Sequence, residues 1–578
     1  MRETGIWLEV LPLVKANARP LSKSLLLGFL ASFLTVVAQL LWQHATVFSR
    51  DSWFRNFGLP VAWIGIWKKP GGLLETQLNF YWSTFLQNWL FWIAVIFALL
   101  FVYSTVRGQL TLALLPVYVL SLSYARILLE LQMAVAVMGS IYGYAHIDPF
   151  SYAQIMSYFA MALLLFPVIV TIVSGLPYAE LLRMSSLGFP IILMPPFIDH
   201  YVLRQPVIYN FFSPESHGQI TSPFAYLTIL SAGIKFEIVL VSVLVVGYLL
   251  YRTRSVLRSV AAVMAAVFVF ALVSTPALTS RLGIGFTQPQ LYAGYLIIIY
   301  ALVIASIDLF SPHAGCLVLR RTRLRGIHFP AMVLFGTYFV HPTLISAISP
   351  EHYGPLIVSV LIAFWTWQAA IVFDDVSESH HKTGLPTYLV YGELMALMAL
   401  LSAIPFGPLP WLLVCVAVYF AVEYPRLRRK HYLLSGLIIG ASTSAAFLFG
   451  ALIPITGQKS SQPAALLALL LLTVFSGGSL LKDIGSVEED KRSGIETVFT
   501  KLKQSRILPI VATFVAAGCA LPVLFLNLPL DLILFAMVAS SAWLLMMKKK
   551  EKSYKLVLGL YFIEGLWVFL RIFVVNLA

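Results

Sequence analysis

Acidic residues are scarce in this chain of 578 residues, 25 Asp and Glu in all, and seven of them fall in two short stretches. Asp374, Asp375 and Glu378 lie within five positions, and Asp483, Glu488, Glu489 and Asp490 lie within eight. On a helix, Asp374 and Glu378 are i,i+4 and Asp483 and Asp490 are i,i+7, so each set presents one face. Two such faces suit a hard divalent cation that takes oxygen ligands and bridges to an anion; Mg²⁺ typically keeps waters and substrate phosphates. Lys382, Lys482, Lys491 and Arg492 flank the clusters and can neutralise phosphate charge. The bland alternative is that helix ends collect charge at headgroup level. It explains one cluster more easily than two at like ends with basic partners.

The elements that must hold these faces are membrane helices. Sixty per cent of the residues are apolar and 11% charged, against about 25% charged in soluble domains. The mean hydropathy is +0.87. Such a chain cannot cover its surface in water, which excludes secreted disulfide scaffolds, disordered proteins and soluble nucleic-acid binders. Cys316, Cys415 and Cys519 are far apart and show no metal-ligand spacing. No cleavable signal peptide is evident, and the first long apolar run, near Leu25–Leu41, reads as a span or signal anchor.

A span needs about 20 apolar residues. The second half offers nine runs, near Pro330–Ile348, Pro355–Phe373, Thr387–Phe406, Leu409–Glu423, Tyr432–Ile453, Pro463–Leu481, Ile507–Phe525, Leu530–Met547 and Lys555–Val575. Lys and Arg gather in alternate connections, beginning with Arg320, Arg321, Arg323 and Arg325, whereas the intervening loops hold only Lys459. Basic residues mark cytoplasmic loops. Much of the net charge of +14 therefore belongs to an inner belt, and no nucleic-acid partner is expected. Both carboxylate clusters fall at cytoplasmic ends, after the second and sixth of the nine spans.

These clusters carry a family resemblance. KDIGSVEEDKRSGIETVFTKL (Lys482–Leu502) is similar to the second aspartate-rich motif of UbiA-superfamily membrane prenyltransferases, K-D-x-x-D-x-E-G-D-x-x-x-G-x-x-T-x-x-x-x-L. Lys482, Asp483, Glu488, Asp490, Gly494, Thr497 and Leu502 match it. FDDVSESHHK (Phe373–Lys382) resembles the first motif, N-D-x-x-D-x-x-x-D. Asp374 stands at the Asn place, Asp375 matches, Glu378 replaces Asp, and Lys382 stands at the last Asp. Ser486 takes the place of the second motif's middle Asp, and Glu489 that of its Gly. The resemblance covers about Arg320–Ala578 and leaves the first 310 residues unexplained.

It implies an all-α polytopic membrane protein, a nine-helix UbiA-like bundle at 329–578 behind a basic cytoplasmic linker at 311–328. A second membrane domain of about eight helices precedes it at 1–310. It also implies transfer of an isoprenoid from a prenyl diphosphate to a lipophilic or aromatic acceptor, in a multi-pass protein of the cell membrane whose motifs face the cytoplasm. Mg²⁺ is the implied cofactor, with Asp374, Asp375, Glu378, Asp483, Glu489 and Asp490 as its ligand set. Asp375, Glu378, Asp483 and Asp490 are the implied catalytic residues, and Lys382, Lys482, Lys491 and Arg492 would bind the diphosphate. The rival reading is a transporter or a lipid- or phosphate-binding protein with a decayed UbiA-like domain. A CDP-alcohol phosphotransferase ranks below both, because that family's longer aspartate pattern is absent.

Other polar residues in spans invite a role because burial in lipid is costly. Glu564 and Arg571 suit an interhelical structural pair, Glu393 a buried hydrogen-bonded carboxyl, and His341 an interfacial position. His380 and His381 read as solvated loop residues. The SGGS run at Ser476–Ser479 suits close helix packing.

In the first half, runs lie near Leu25–Gln43, Trp89–Val106, Leu110–Tyr124, Tyr152–Ile172, Ile229–Leu250, Val260–Val273 and Tyr292–Ile307. A basic tail and a basic linker on one side require an even number of crossings, so an eighth is expected in Ile127–Tyr144 or Leu187–Val202. Asp51–Tyr81, with Trp53, Trp63, Trp67, Lys68 and Lys69, reads either as an interfacial segment or as an ordered loop. Lys235/Glu237, Arg126/Glu130 and Asp199/His200 are the notable polar sites, with a structural or docking role expected.

Overall fold

The computed structural model describes residues 54–57, 64–68, 76–80, 82–106, 114–138, 149–203, 230–274, 287–321, 327–341, 350–378, 385–430, 432–453, 462–485, 487, 504–520, 529–547 and several positions between 555 and 567. The chain divides into two compact units, Met1–Phe310 and Ser311–Ala578. It is an all-α polytopic membrane protein with one small exception. Seven described helices are long and apolar enough to cross a membrane, among them Ala153–Ser174, Ala232–Thr253, His352–Ser377 and Ala464–Leu481.

The exception lies within Asp51–Tyr81. Three short strands, β1 (Phe54–Phe57), β2 (Ile64–Lys68) and β3 (Thr76–Phe80), form an antiparallel meander in the order β1-β2-β3. Phe54 opposes Trp67, and Ile64 opposes Phe80. A plain loop does not describe it. Its strands are only four or five residues long, too short for a periodicity to stand out.

The first unit continues with α1 (Trp82–Val106), α2 (Leu115–Met138), α3 (Pro149–Ser174) and α4 (Tyr178–Gly188). After α4 the chain tightens into a 3₁₀ segment, Phe189–Leu193, then a single α-turn, Met194–Phe197, then a π-turn, Ile198–Val202. The unit closes with α5 (Ala232–Thr253), α6 (Val256–Ser274) and α7 (Gln288–Phe310). Of the two places expected to hide a crossing, Ile127–Met138 simply continues α2, while Leu187–Val202 is this irregular helical stretch. Pro190, Pro195 and Pro196 account for its irregularity, since each removes a backbone donor. The expected span Leu25–Gln43 lies outside the described residues.

Aromatic rings build the core of this unit. Tyr118 stacks on Phe101 with centroids 4.2 Å apart, beside Phe97, Leu122, Phe159 and Phe189. Its buried hydroxyl donates to the Ser186 carbonyl at 2.6 Å, so the ring is buried without leaving a polar group unmet. Tyr178 and Ser306 join α4 to α7 through their hydroxyls, 2.7 Å apart.

Two of the polar sites make ties across helices. Arg126 is bonded to Glu237 at 3.2 Å, and its guanidinium also lies over the Phe159 ring. Asp199 is fully buried and accepts from Ser231 Oγ at 2.6 Å and from the Gly233 amide at 2.7 Å. It thereby satisfies a free amide in the first turn of α5, where the helix dipole favours an anion. The side chains of Glu130 and His200 lie outside the described residues.

The second unit begins with a helix, α8 (Pro312–Arg321), where a linker was expected. Then come α9 (His328–Val340), α10 (Pro350–Glu378), α11 (Leu385–Ser402), α12 (Pro408–Lys430), α13 (Tyr432–Ala451), α14 (Gln462–Gly485), α15 (Gln504–Ala520) and α16 (Pro529–Met547). The helices α9 to α16 overlap the first eight expected spans in order. Most of the ninth, with Glu564 and Arg571, lies outside the described residues. Gly407, at φ 99°, turns the chain between α11 and α12, a conformation that glycine adopts without a Cβ penalty.

Lipid tails are as apolar as the helices, so association depends on close van der Waals packing through small residues. The α9–α13 contact illustrates this. A Cβ on Gly336 would meet the Phe447 carbonyl oxygen at 2.0 Å, and one on Gly450 would meet that of Val333 at 2.0 Å. Thr337 adds a hydrogen bond to the Gly450 carbonyl at 3.0 Å. The next contact, α13 on α14, uses Gly436 against Leu480 and Gly440 against Ser476 and Leu472. Close packing thus occurs at Ser476, the first residue of the SGGS run, against Gly440 of α13.

Candidate active site

The first carboxylate cluster occupies the last turn of α10. Asp374 and Asp375 are half-buried there, and Ser377 Oγ donates to the Asp374 carbonyl at 2.7 Å, satisfying an acceptor that the helix end leaves open. Tyr388, in the first turns of α11, donates its hydroxyl to Asp375 Oδ2 at 3.1 Å. Its ring is almost wholly buried. One turn further along α11, Gly392 lets Val372 of α10 approach so closely that an added Cβ would fall 2.6 Å from Val372 Cγ1. Glu378 ends α10, and nothing further is described of its side chain; Lys382, His380 and His381 lie outside the described residues.

The second cluster begins at the end of α14. That helix runs to Gly485 and carries Lys482 and Asp483 in its last turn, as backbone positions without a described side chain. Ser486, Glu488, Glu489, Asp490, Lys491 and Arg492 lie outside the described residues.

A residue outside both clusters touches both motif-bearing helices. His328, at the start of α9, lies edge-on to Trp367 of α10 with centroids 5.7 Å apart. It stacks on Phe475 of α14 at 6.1 Å with an interplanar angle of 11°. Phe329 closes the group against Trp367 at 4.9 Å. Trp367 precedes Asp375 by eight residues and Phe475 precedes Asp483 by eight, which is about 12 Å of helix in each case.

Sequence reasoning missed Tyr388 and His328. The available signals were a tyrosine shortly after the first cluster and a histidine opening an apolar run. It also missed Gln368, seven residues before Asp375 and so on the same face of α10. Gln368 is buried, and its Nε2 has no hydrogen-bond partner among the described residues. Glu393 of α11 is half-buried, and His341 is buried.

The donor chemistry fits the implied metal ion as far as it is described. Carboxylate oxygens are the ligands that Mg²⁺ takes, and Asp375 offers one oxygen already oriented by a buried hydroxyl. Asp374 and Asp375 are the described members of the expected set; among the described residues no three His, Cys, Asp or Glu side chains form a metal-holding group.

The C-terminal part is thus a bundle of apolar helices with acidic residues in the last turns of α10 and α14. Residues 387–557, which include the second motif and begin just after the first, match the UbiA prenyltransferase family. A solved structure of a digeranylgeranylglyceryl phosphate synthase is 18% identical, with a TM-score of 0.37, over 45% of this chain and 97% of that one. No curated protein matches the chain.

Proposed function

We propose that the second unit is an intramembrane prenyltransferase that moves an isoprenoid group from a prenyl diphosphate to a lipophilic or aromatic acceptor. The carrying observation is that α10 and α14, whose last turns hold Asp375 and Asp483, both contact His328 at equal distances from those residues. The family match over residues 387–557 agrees with it. The motifs face the cytoplasm, as the basic connections indicate, and the first unit is a separate membrane domain.

Asp374, Asp375, Glu378, Asp483, Glu489 and Asp490 would hold Mg²⁺, which when bound offsets the charge of the departing diphosphate oxygens. Lys382, Lys482, Lys491 and Arg492 bind the same oxygens and supply positive charge where it is needed as the C–O bond breaks. The helical walls of the bundle admit the tail from lipid and limit water, so that the allylic cation meets the acceptor first. The acceptor's proton then leaves to solvent or to a neighbouring base.

The test is Mg²⁺-dependent release of pyrophosphate from a panel of prenyl diphosphates by the full chain in lipid nanodiscs. Asp375→Ala and Asp483→Ala should each abolish it. Turnover equal to the parent in either variant overturns the arrangement. Binding of prenyl diphosphate without release would favour the non-catalytic reading, to which Ser486 and Lys382 lend weight because each replaces a family carboxylate.

A further inference from the structure

We propose that the turn between α5 and α6 is a docking site for the phosphate of an anionic phospholipid, held by Arg254 and Arg258. The site belongs to the first unit and does not depend on the prenyltransferase reading of the second.

Two residues of this turn sit where the local backbone does not favour them. Arg254 caps α5 in the left-handed conformation, at φ 56° and ψ 18°, and is the one described non-glycine residue with a positive φ. Glycine takes that conformation without a Cβ penalty, whereas an arginine takes it at a cost in stability. Arg258 stands in the first turn of α6, where the partial positive charge of the helix end disfavours a cation. Local costs of this kind persist where the surroundings offset them and cluster at functional sites. An anion between the two arginines offsets both.

The turn itself is fixed. The Arg254 amide donates to the Leu250 carbonyl at 3.0 Å, the Ser255 amide to Thr253 Oγ1 at 3.3 Å, and Ser259 Oγ to the Ser255 carbonyl at 2.8 Å. Arg252 is engaged by Glu180 at 2.7 Å, but among the described residues neither Arg254 nor Arg258 has an acidic partner. Both are exposed, and the Arg254 guanidinium lies over the Tyr251 ring, 5.7 Å from its centroid. The planar fork of donors on a guanidinium suits phosphate oxygens.

The neighbours make the phosphate a lipid's. Tyr251, Val256 and Leu257 are 69%, 67% and 81% exposed, so large apolar side chains interleave with the arginines. A free phosphate would leave them in water, whereas acyl chains cover them. Three arginines within residues 252–258 mark the turn as cytoplasmic. The anionic lipids of that leaflet attract basic residues at this depth.

The test uses the full chain in phosphatidylcholine nanodiscs doped with phosphatidylglycerol that carries a photoreactive group near its head, with cross-links mapped by mass spectrometry. The parent should be labelled within residues 251–258, and unlabelled phosphatidylglycerol should compete where phosphatidylcholine does not. Arg254→Gly and Arg258→Gln should each raise the lipid concentration for half-maximal labelling about fivefold. Arg320→Gln, an exposed arginine of the other unit, should leave it unchanged. Arg254→Gly relieves the left-handed backbone, so in phosphatidylcholine alone its unfolding temperature should be no lower than the parent's. No labelling of the turn in the parent, or equal labelling in the Arg254→Gly/Arg258→Gln double variant, overturns the site. Competition by inorganic phosphate as effective as that by phosphatidylglycerol overturns the lipid as its occupant.

Discussion

The guanidinium of Arg126 lies 3.2 Å from the carboxylate of Glu237, although 111 residues separate them. Arg126 is 2% exposed and Glu237 16%. The pair therefore ties α2 to α5 in a setting where neither charge can be left alone. Arg126→Met should destabilise the first unit by about 3–5 kcal/mol, because it strands a carboxylate. Adding Glu237→Leu should recover most of that loss, since two apolar groups can replace a buried pair at little cost. Thermal unfolding of the single and double variants in detergent measures the coupling; additive losses would show that the two do not act as a pair.

Asp199 and Gly233 form the second tie on α5. A Cβ at Gly233 would fall 2.5 Å from the Pro195 carbonyl oxygen and 2.7 Å from Asp199 Oδ2. Gly233→Ala must therefore push the irregular Phe189–Val202 stretch away from the helix. A loss of about 1–3 kcal/mol is expected, with faster proteolysis near residue 203 as the local reading. Asp199→Ala should produce the same proteolytic pattern through a different cause, the loss of an acceptor for the Gly233 amide.

At the other end of α5, Arg252 and Tyr248 both donate to the Glu180 carboxylate, Arg252 at 2.7 Å. The Arg252 hydrogen bond, then that of Tyr248, hold the Glu180 carboxyl below its ordinary value of 4.5. A carboxyl whose folded value is depressed adds stability above its unfolded value and loses it as the pH falls through the folded one. Acidification from pH 5 downward should therefore destabilise the parent more than Glu180→Gln. The effect should be modest, because the pair is partly exposed. Unfolding temperatures of both proteins across that range decide it, and parallel curves would count against the linkage.

In the second unit the crossing of α9 over α13 depends on two bare positions. Gly450→Ala would drive a methyl group into the Val333 carbonyl, and Gly336→Ala into that of Phe447. Each should cost about 1–3 kcal/mol as an overpacked contact. Thr337→Val, which keeps the side chain's shape and removes the hydroxyl shared between the Val333 and Gly450 carbonyls, should cost about 1 kcal/mol. Unfolding temperatures that fall further for threonine than for glycine would reverse the ranking of sterics over hydrogen bonding.

Long apolar runs and the alternation of basic connections made the helices of the second unit legible, because bilayer thickness sets a length that few other constraints disturb. The first unit was harder for identifiable reasons. Pro190, Pro195 and Pro196 break the apolar run after α4 into unlike turns, so no uniform period survives there. Arg126 and Glu237 stand 111 residues apart, so nothing in their spacing marks them as a pair. The acidic residues of the site were visible as clusters because carboxylates are rare here. Tyr388 and His328 were not, since one more aromatic ring in an aromatic-rich chain carries no signal until the helices that it joins are known.

His328 offers the sharpest separation of stability from function. Its ring contacts Trp367 and Phe475, and through them the two helices that end in Asp375 and Asp483. Removing it leaves every proposed metal ligand and every basic residue of the site intact. Aromatic contacts of this kind contribute about 0.5–1.5 kcal/mol each, so His328→Ala should lower stability only moderately. Its effect on turnover should be larger, because a displacement of one helix end by about 1 Å is enough to cost about 100-fold when two ligand sets must share one ion. His328→Phe keeps a ring between the helices and should retain most of the activity. An inactive Phe variant of parental stability would instead give the imidazole a chemical role, whereas a fully active Ala variant would show that α10 and α14 keep their spacing without the ring.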